Sequence, residues 1–127
     1  MSLSLGIDVG TSGVRTAVLT AQGDVLPMAR TDHVAQKKDY IDADGWWRAV
    51  QTCILRQIEI LWAEGFSPLD ITGIAVDGTS GTMVLTDINL RPVTRALMYN
   101  SSGFDTEAAM IARFAPDLHI TRGSASA

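Results

Sequence analysis

Hydrophobic residues at the start of the chain recur at every second position. Leu3, Leu5, Ile7 and Val9 fall on one face of an extended segment, so a strand is predicted over residues 3–9. Asp8-Val9-Gly10-Thr11-Ser12-Gly13 then brings turn chemistry. Residues 14–20 resume a β-rich run, Ala21-Gln22-Gly23-Asp24 turns again, and residues 25–34 can supply a third, more polar strand. The opening reads as a β-meander.

From residue 45 to residue 64 the period becomes helical. Trp47, Val50, Ile54, Ile58 and Leu61 recur at helical spacing, and Trp46, Cys53 and Trp62 widen the stripe. Asp42 or Asp44 can cap this helix, Gly65 suits a left-handed residue after its end, and Pro68 prevents continuation. Residues 71–76 read as a buried strand with a polar tip at Asp77-Gly78-Thr79-Ser80-Gly81. Residues 82–87 and 93–99 are further strand candidates around Asp87-Ile88-Asn89-Leu90. A second helix follows, capped by Ser101 or Ser102, with Phe104, Ala108, Ile111 and Ala115 on its inner face and Pro116 as its stop. Residues 117–127 show no periodicity and are expected to be loose. A meander, a crossover helix and another strand predict an α/β layout: a mixed sheet with flanking helices.

Composition narrows the partners more than the fold. With 127 residues, 46% of them hydrophobic and 19% charged, the chain can bury a core of its own. A formal net charge of −4 excludes the basic footprint of a nucleic-acid binder, which leaves a small-molecule partner as the expectation. The single cysteine, Cys53, can form no internal disulfide and suits a reducing compartment. The first residues lack the basic flank and apolar run of a secretory signal, and no stretch reaches membrane-spanning length, so a cytoplasmic protein without a membrane partner is expected.

Two segments offer chemistry. In the first, Gly10 and Gly13 allow a sharp turn and a close approach, while Thr11 and Ser12 offer hydroxyls and N–H donors, a combination that can hold a phosphate. Asp8 at the strand end can hold a magnesium ion through water, and Arg15 can add positive charge. A Walker loop is excluded because no lysine occurs between residues 1 and 36. A dinucleotide fingerprint is excluded because a strand, not a helix, is predicted after the glycines. A plain hairpin turn stands beside the phosphate reading. In the second segment, Asp77, Thr79 and Ser80 follow an apolar strand, where α/β sheets collect ligands, and can hydrogen-bond a polyhydroxylated substrate; a solvated turn is the alternative.

Four ordered blocks of this chain resemble the FGGY carbohydrate kinases, relatives of the hexokinase, actin and Hsp70 ATPases. They are Gly6-Ile7-Asp8-Val9-Gly10-Thr11-Ser12-Gly13-Val14-Arg15, Ile41-Asp42-Ala43-Asp44-Gly45-Trp46-Trp47, Gly73-Ile74-Ala75-Val76-Asp77-Gly78-Thr79-Ser80-Gly81-Thr82 and Arg95-Ala96-Leu97-Met98-Tyr99-Asn100. The resemblance implies a ribonuclease-H-like domain, with ATP and magnesium as cofactors. It places Asp8, Gly10, Thr11, Ser12 and Gly13 at the nucleotide phosphates and magnesium, and gives Asp77, Thr79 or Ser80 to the sugar. Asn100 belongs to the block that bears on the acceptor, although Ser101 stands where family members often carry Asp. Asp-Gly-Thr-Ser at 77–80 looks most like the D-ribulose and D-xylulose kinase branch, which implies a ketopentose acceptor. The family has two such domains, and its catalytic aspartate and adenosine loops lie in sequence beyond residue 127. Residues 1–127 are therefore expected to be the N-terminal part of the first domain, without turnover alone and prone to self-associate through bare apolar surface. A non-catalytic module of the same fold and an ATPase using water as acceptor are the competing readings.

The remaining residues have bland expectations. Trp46 and Trp47 read as packing anchors, Met98 and Met110 as core filler, His33 and His119 as surface residues without zinc-ligand spacing, and Lys37-Lys38-Asp39 as a solvated loop.

Overall fold

Alternating apolar positions fold back on themselves wherever turn residues interrupt them. The computed structural model describes residues 2–33 and 42–114, and the chain divides into two compact units, Met1–Thr79 and Ser80–Ala127. The first unit contains β1 (Leu3–Val9), β2 (Gly13–Thr20), β3 (Ala29–Asp32), α1 (Ala43–Ala63), a short 3-10 turn at Pro68–Asp70 and β4 (Ile71–Gly78). The sheet order is β3-β2-β1-β4. β1 pairs antiparallel with β2, β2 antiparallel with β3, and β1 parallel with β4. A parallel pair needs a crossover connection, and α1 lies in it. The expected mixed α/β sheet is the one observed.

Strand alternation sends Leu3, Leu5 and Ile7 of β1 and Val14, Thr16 and Val18 of β2 to the side of the sheet that α1 covers. They meet Ala49, Val50, Cys53 and Leu61 in one core cluster. Fully burying side chains such as Leu3 and Leu61 contributes about 1.5–3 kcal/mol each. Gln57 interrupts this apolar face, only 1% exposed. Its Oε1 accepts hydrogen bonds from Thr16 Oγ1 and from the Ala29 N–H, both at 3.0 Å, and its Nε2 donates to the Pro27 carbonyl at 2.9 Å. Pro27 has no N–H to give a strand ladder. The third strand accordingly covers only 29–32 rather than the expected 25–34, with an isolated bridge between Leu19 and Val25 before it. Arg56 adds a second fastening, donating to the Arg30 carbonyl at 2.6 Å and to Thr31 Oγ1 at 3.2 Å.

The caps of α1 fall where side-chain chemistry puts them. Asp42 is the N-cap, its carboxylate accepting from the Asp44 N–H and from Arg48. The Arg48 hydrogen bond, reinforced by the backbone N–H groups of the first turn, holds the Asp42 carboxyl below the usual carboxylate range. Gly65 has φ of +81°, the left-handed conformation expected after the helix end. Pro68 begins the 3-10 turn, with Ser67 as its cap.

Three expectations about burial are corrected. Trp47 and Trp62 are 60% and 65% exposed, because the buried face of α1 is centred on Cys53 and Gln57, not on the tryptophans. β4 is an exposed edge strand rather than a buried one, with Ile74 and Val76 65% and 69% exposed, since β1 is its sole partner among the described strands and α1 packs over β2 and β3. Met110 is exposed rather than core filler.

In the second unit, bridges between Met83 and Leu97 and between Thr86 and Pro92 form a hairpin around Asp87–Leu90, without the two continuous strands expected. The Asp87 carboxylate accepts from the Asn89 and Arg91 N–H groups. α2 runs from Asp105 to Phe114; Ala108, Ile111 and Ala112, with Phe104 just before the helix, are the better covered positions, although none is buried. Neither serine caps it as expected from its own side chain: Ser101 Oγ instead accepts from the Met98 N–H. His119, Pro116, the tail and Lys37-Lys38-Asp39 lie outside the described residues. No helix among the described residues is long and apolar enough to cross a membrane.

Candidate functional site

The β1–β2 connection is a tight turn into a second strand. The Gly10 N–H donates to the Gly13 carbonyl at 2.9 Å, and Thr11 and Ser12 stand exposed at its tip. Gly13 is required for proximity: a Cβ there would lie 2.5 Å from the Thr31 carbonyl oxygen and 2.8 Å from the Asp32 Cα. β3 therefore passes directly against the turn. The Asp8 and Arg15 side chains, cross-strand partners, form an ion pair of 3.0 Å with each about half exposed. Exposed pairs of this kind are worth about 0–1 kcal/mol, so Arg15 can turn to another anion at little cost.

The second sequence segment begins at the end of β4, whose register sets Asp77 beside Asp8. Residues paired this way point to the same face, so two carboxylates stand together in the last turn of pleat at the C-terminal ends of two parallel strands. Asp77 Oδ1 accepts from the Gly78 N–H at 2.7 Å. Thr79 ties the two tips together: its N–H donates to the Val9 carbonyl at 3.3 Å and its hydroxyl lies 3.2 Å from that of Thr11. Asp8, Thr11, Arg15, Asp77 and Thr79 are thus one cluster. Behind it, on the face away from α1, lies an open hollow of about 360 Å³ floored by Gly6, Ala17 and Ala75 and rimmed by Asp8, Arg15, Asp77 and Met28. Small side chains at the floor leave room above the strands, and charge is confined to the rim.

Ser80 and Asn100 belong to the second unit, both exposed, Asn100 in the turn that follows Leu97. Among the described residues no group of three or more His, Cys, Asp or Glu side chains could hold a metal ion between them.

His33 is the residue that sequence reading missed. It is partly buried, not a surface residue: its Nε2 donates to the Gly10 carbonyl at 2.9 Å and its N–H donates to the Ser12 carbonyl at 3.0 Å. Both contacts reach across more than twenty residues, so no local pattern announces them. The cue present in the sequence was weaker: a polar residue closing the strand that follows a glycine turn.

Residues 3–115 match the family profile described as the FGGY family of carbohydrate kinases, N-terminal domain. The chain is 27% identical over 106 residues to a xylulose kinase of Staphylococcus xylosus, an alignment covering 80% of this chain and 21% of the relative. It is 25% identical over 125 residues to a xylulose kinase of Escherichia coli K12, covering 94% and 25% respectively. The chain thus spans about a fifth to a quarter of the length of these relatives. Its fold is similar to that of a solved structure, a xyloylose kinase from Brucella ovis, with a TM-score of 0.78 at 24% identity over 89% of this chain and 24% of that one. The sheet and crossover helix are those of the ribonuclease-H-like fold.

Proposed function

The chain belongs to the FGGY family of carbohydrate kinases, and from that premise we propose that residues 1–127 form the N-terminal part of the first domain of an ATP-dependent kinase whose acceptor is a ketopentose such as xylulose or ribulose. One observation carries the reading: two strand tips with turn chemistry, far apart in sequence, are tied into a single cluster through Thr11 and Thr79. One tip offers anion contacts and the other offers hydroxyls and a carboxylate. A phosphoryl donor and a polyhydroxylated acceptor need such groups within reach of each other.

In this reading the N–H groups and hydroxyls of Gly10, Thr11, Ser12 and Gly13 face the nucleotide phosphates. Arg15 exchanges Asp8 for a phosphate oxygen. Asp77 and Thr79 face the sugar, and Ser80 and Asn100 keep the sugar-facing role that the resemblance implies. The carboxylates of Asp8 and Asp77, paired in register and open to solvent, fit a magnesium ion that keeps most of its own water, with Asp8 as its main ligand. Bound there, it would neutralise charge on the phosphate oxygens. The work of these residues is to hold and orient: their donors are fixed by the turn before any ligand arrives, which removes reorganisation from the reaction. The catalytic base lies outside them, and these 127 residues alone have no turnover.

The test uses the complete open reading frame containing this segment, assayed with MgATP against xylulose, ribulose, glycerol and gluconate. Phosphorylation of a ketopentose at the highest kcat/KM is expected. Preference for glycerol or gluconate overturns the acceptor, and ATP hydrolysis without sugar phosphorylation overturns the kinase reading.

A further inference from the structure

We propose that His33 is a positioning residue for the phosphate-facing turn, acting through the Gly10 carbonyl. The inference rests on the kinase reading above and names a residue beyond it. Three contacts from the end of β3 converge on the turn. The backbone at Thr31 and Asp32 presses on Gly13 so closely that no side chain fits. The His33 N–H holds the Ser12 carbonyl and the His33 ring holds the Gly10 carbonyl. Two carbonyls of a four-residue turn are thereby directed backwards, towards the residue that follows β3.

That direction matters because each peptide plane carries its carbonyl and the following N–H on opposite sides. With the carbonyls of Gly10 and Ser12 turned towards His33, the N–H groups of Thr11 and Gly13 in the same planes are turned away from it. An anion-binding concavity needs main-chain N–H groups held facing one way, and these two flank that of Ser12. The Thr11 N–H is thus set by the ring contact, and the Gly13 N–H by the main-chain contact.

The brace itself stands on a fixed base. β3 is fastened to α1 by Gln57, through Ala29 and Pro27, and by Arg56, through Arg30 and Thr31. A carbonyl only accepts, so the ring must carry its proton on Nε2. Nδ1 is buried without a hydrogen-bond partner among the described residues. A group is rarely left so, and the arrangement commits the ring to a single donor aimed at Gly10. A phenyl ring could fill the same space; only the donated hydrogen bond distinguishes histidine.

Three variants of the complete gene product decide the matter. His33→Phe keeps the ring and loses the donor, His33→Gln places an amide nitrogen near the position of Nε2, and His33→Asn places one near Nδ1. With the net value of one hydrogen bond, His33→Phe is expected to raise the KM for ATP about three- to tenfold and to leave the KM for the sugar within about twofold. His33→Gln should restore most of the loss and His33→Asn should not. A merely structural role would lower kcat through a smaller active fraction while leaving both KM values alone, and that result, or a His33→Phe enzyme equal to the wild type, overturns the proposal. If the wild type phosphorylates no sugar on the panel, the kinase reading falls, and the brace is judged by amide hydrogen exchange in the complete gene product. Faster exchange at Gly10 in His33→Phe, with β1 and β2 unchanged, supports it; unchanged exchange contradicts it.

Discussion

The two units of this chain are held together by different means. Residues 2–79 contain ten of the eleven buried hydrophobic residues found among the described positions, and the second unit contains only Ala96. Packing of α1 against two strands supports the first. Turn chemistry and isolated bridges at Asp87–Leu90 and Met83–Leu97 support the second. The difference shows where function can be built: the candidate phosphate turn grows from a packed sheet whose position is fixed by burial, so its donors are set in advance.

Substitutions can break or sharpen that contrast. The three tryptophans all lie on α1, so fluorescence during urea unfolding follows the first unit. Leu61→Ala empties the fully buried end of α1 and is expected to destabilise by about 2–5 kcal/mol, read as a lower urea midpoint. Gln57→Met keeps the volume but leaves the Ala29 N–H and Pro27 carbonyl without their partner, at an expected cost of about 2–3 kcal/mol. A neutral result would show that β3 does not depend on this side chain. Asp42→Ala removes the N-cap, at about 1 kcal/mol. Because the folded-state pKa of Asp42 is depressed, its contribution is present above the ordinary carboxylate pKa of about 3.9 and is lost as pH falls through the lower folded value. The difference in urea midpoint between wild type and Asp42→Ala should therefore be full at pH 6 and shrink in acid. Smallest is an effect of opposite sign in the second unit: Leu90 has φ of 61°, and Leu90→Gly should slow amide exchange at Asn89 and Arg91 by relieving up to about 1 kcal/mol of strain.

Much of the first unit was legible in the sequence because burial there is one-sided. β1 was bounded correctly by alternation; cap chemistry offered Asp42 or Asp44 for the start of α1, of which Asp42 is the cap, so the helix begins at Ala43 rather than at residue 45, and Gly65 marked its end. Pattern failed where a partner from another segment decided the outcome. The shortening of β3 depends on Pro27 and on Gln57, thirty residues later. The exposure of Trp47, Trp62 and β4 follows from where α1 lies on the sheet, which periodicity does not encode. At the site, Asp8, Thr11, Arg15, Asp77 and Thr79 were all named as candidates, but their assembly follows from the parallel register of β1 and β4, and His33 was invisible because its contacts are non-local.

The central claim, that the turn between β1 and β2 grips nucleotide phosphates, is tested most directly by titrating the ¹⁵N-labelled 127-residue chain with MgATP and following amide shifts. Gly10, Thr11, Ser12 and Gly13 are expected to move most and saturate together, with Arg15 following. Saturating shifts confined to other parts of the chain, or none at millimolar MgATP, would contradict it.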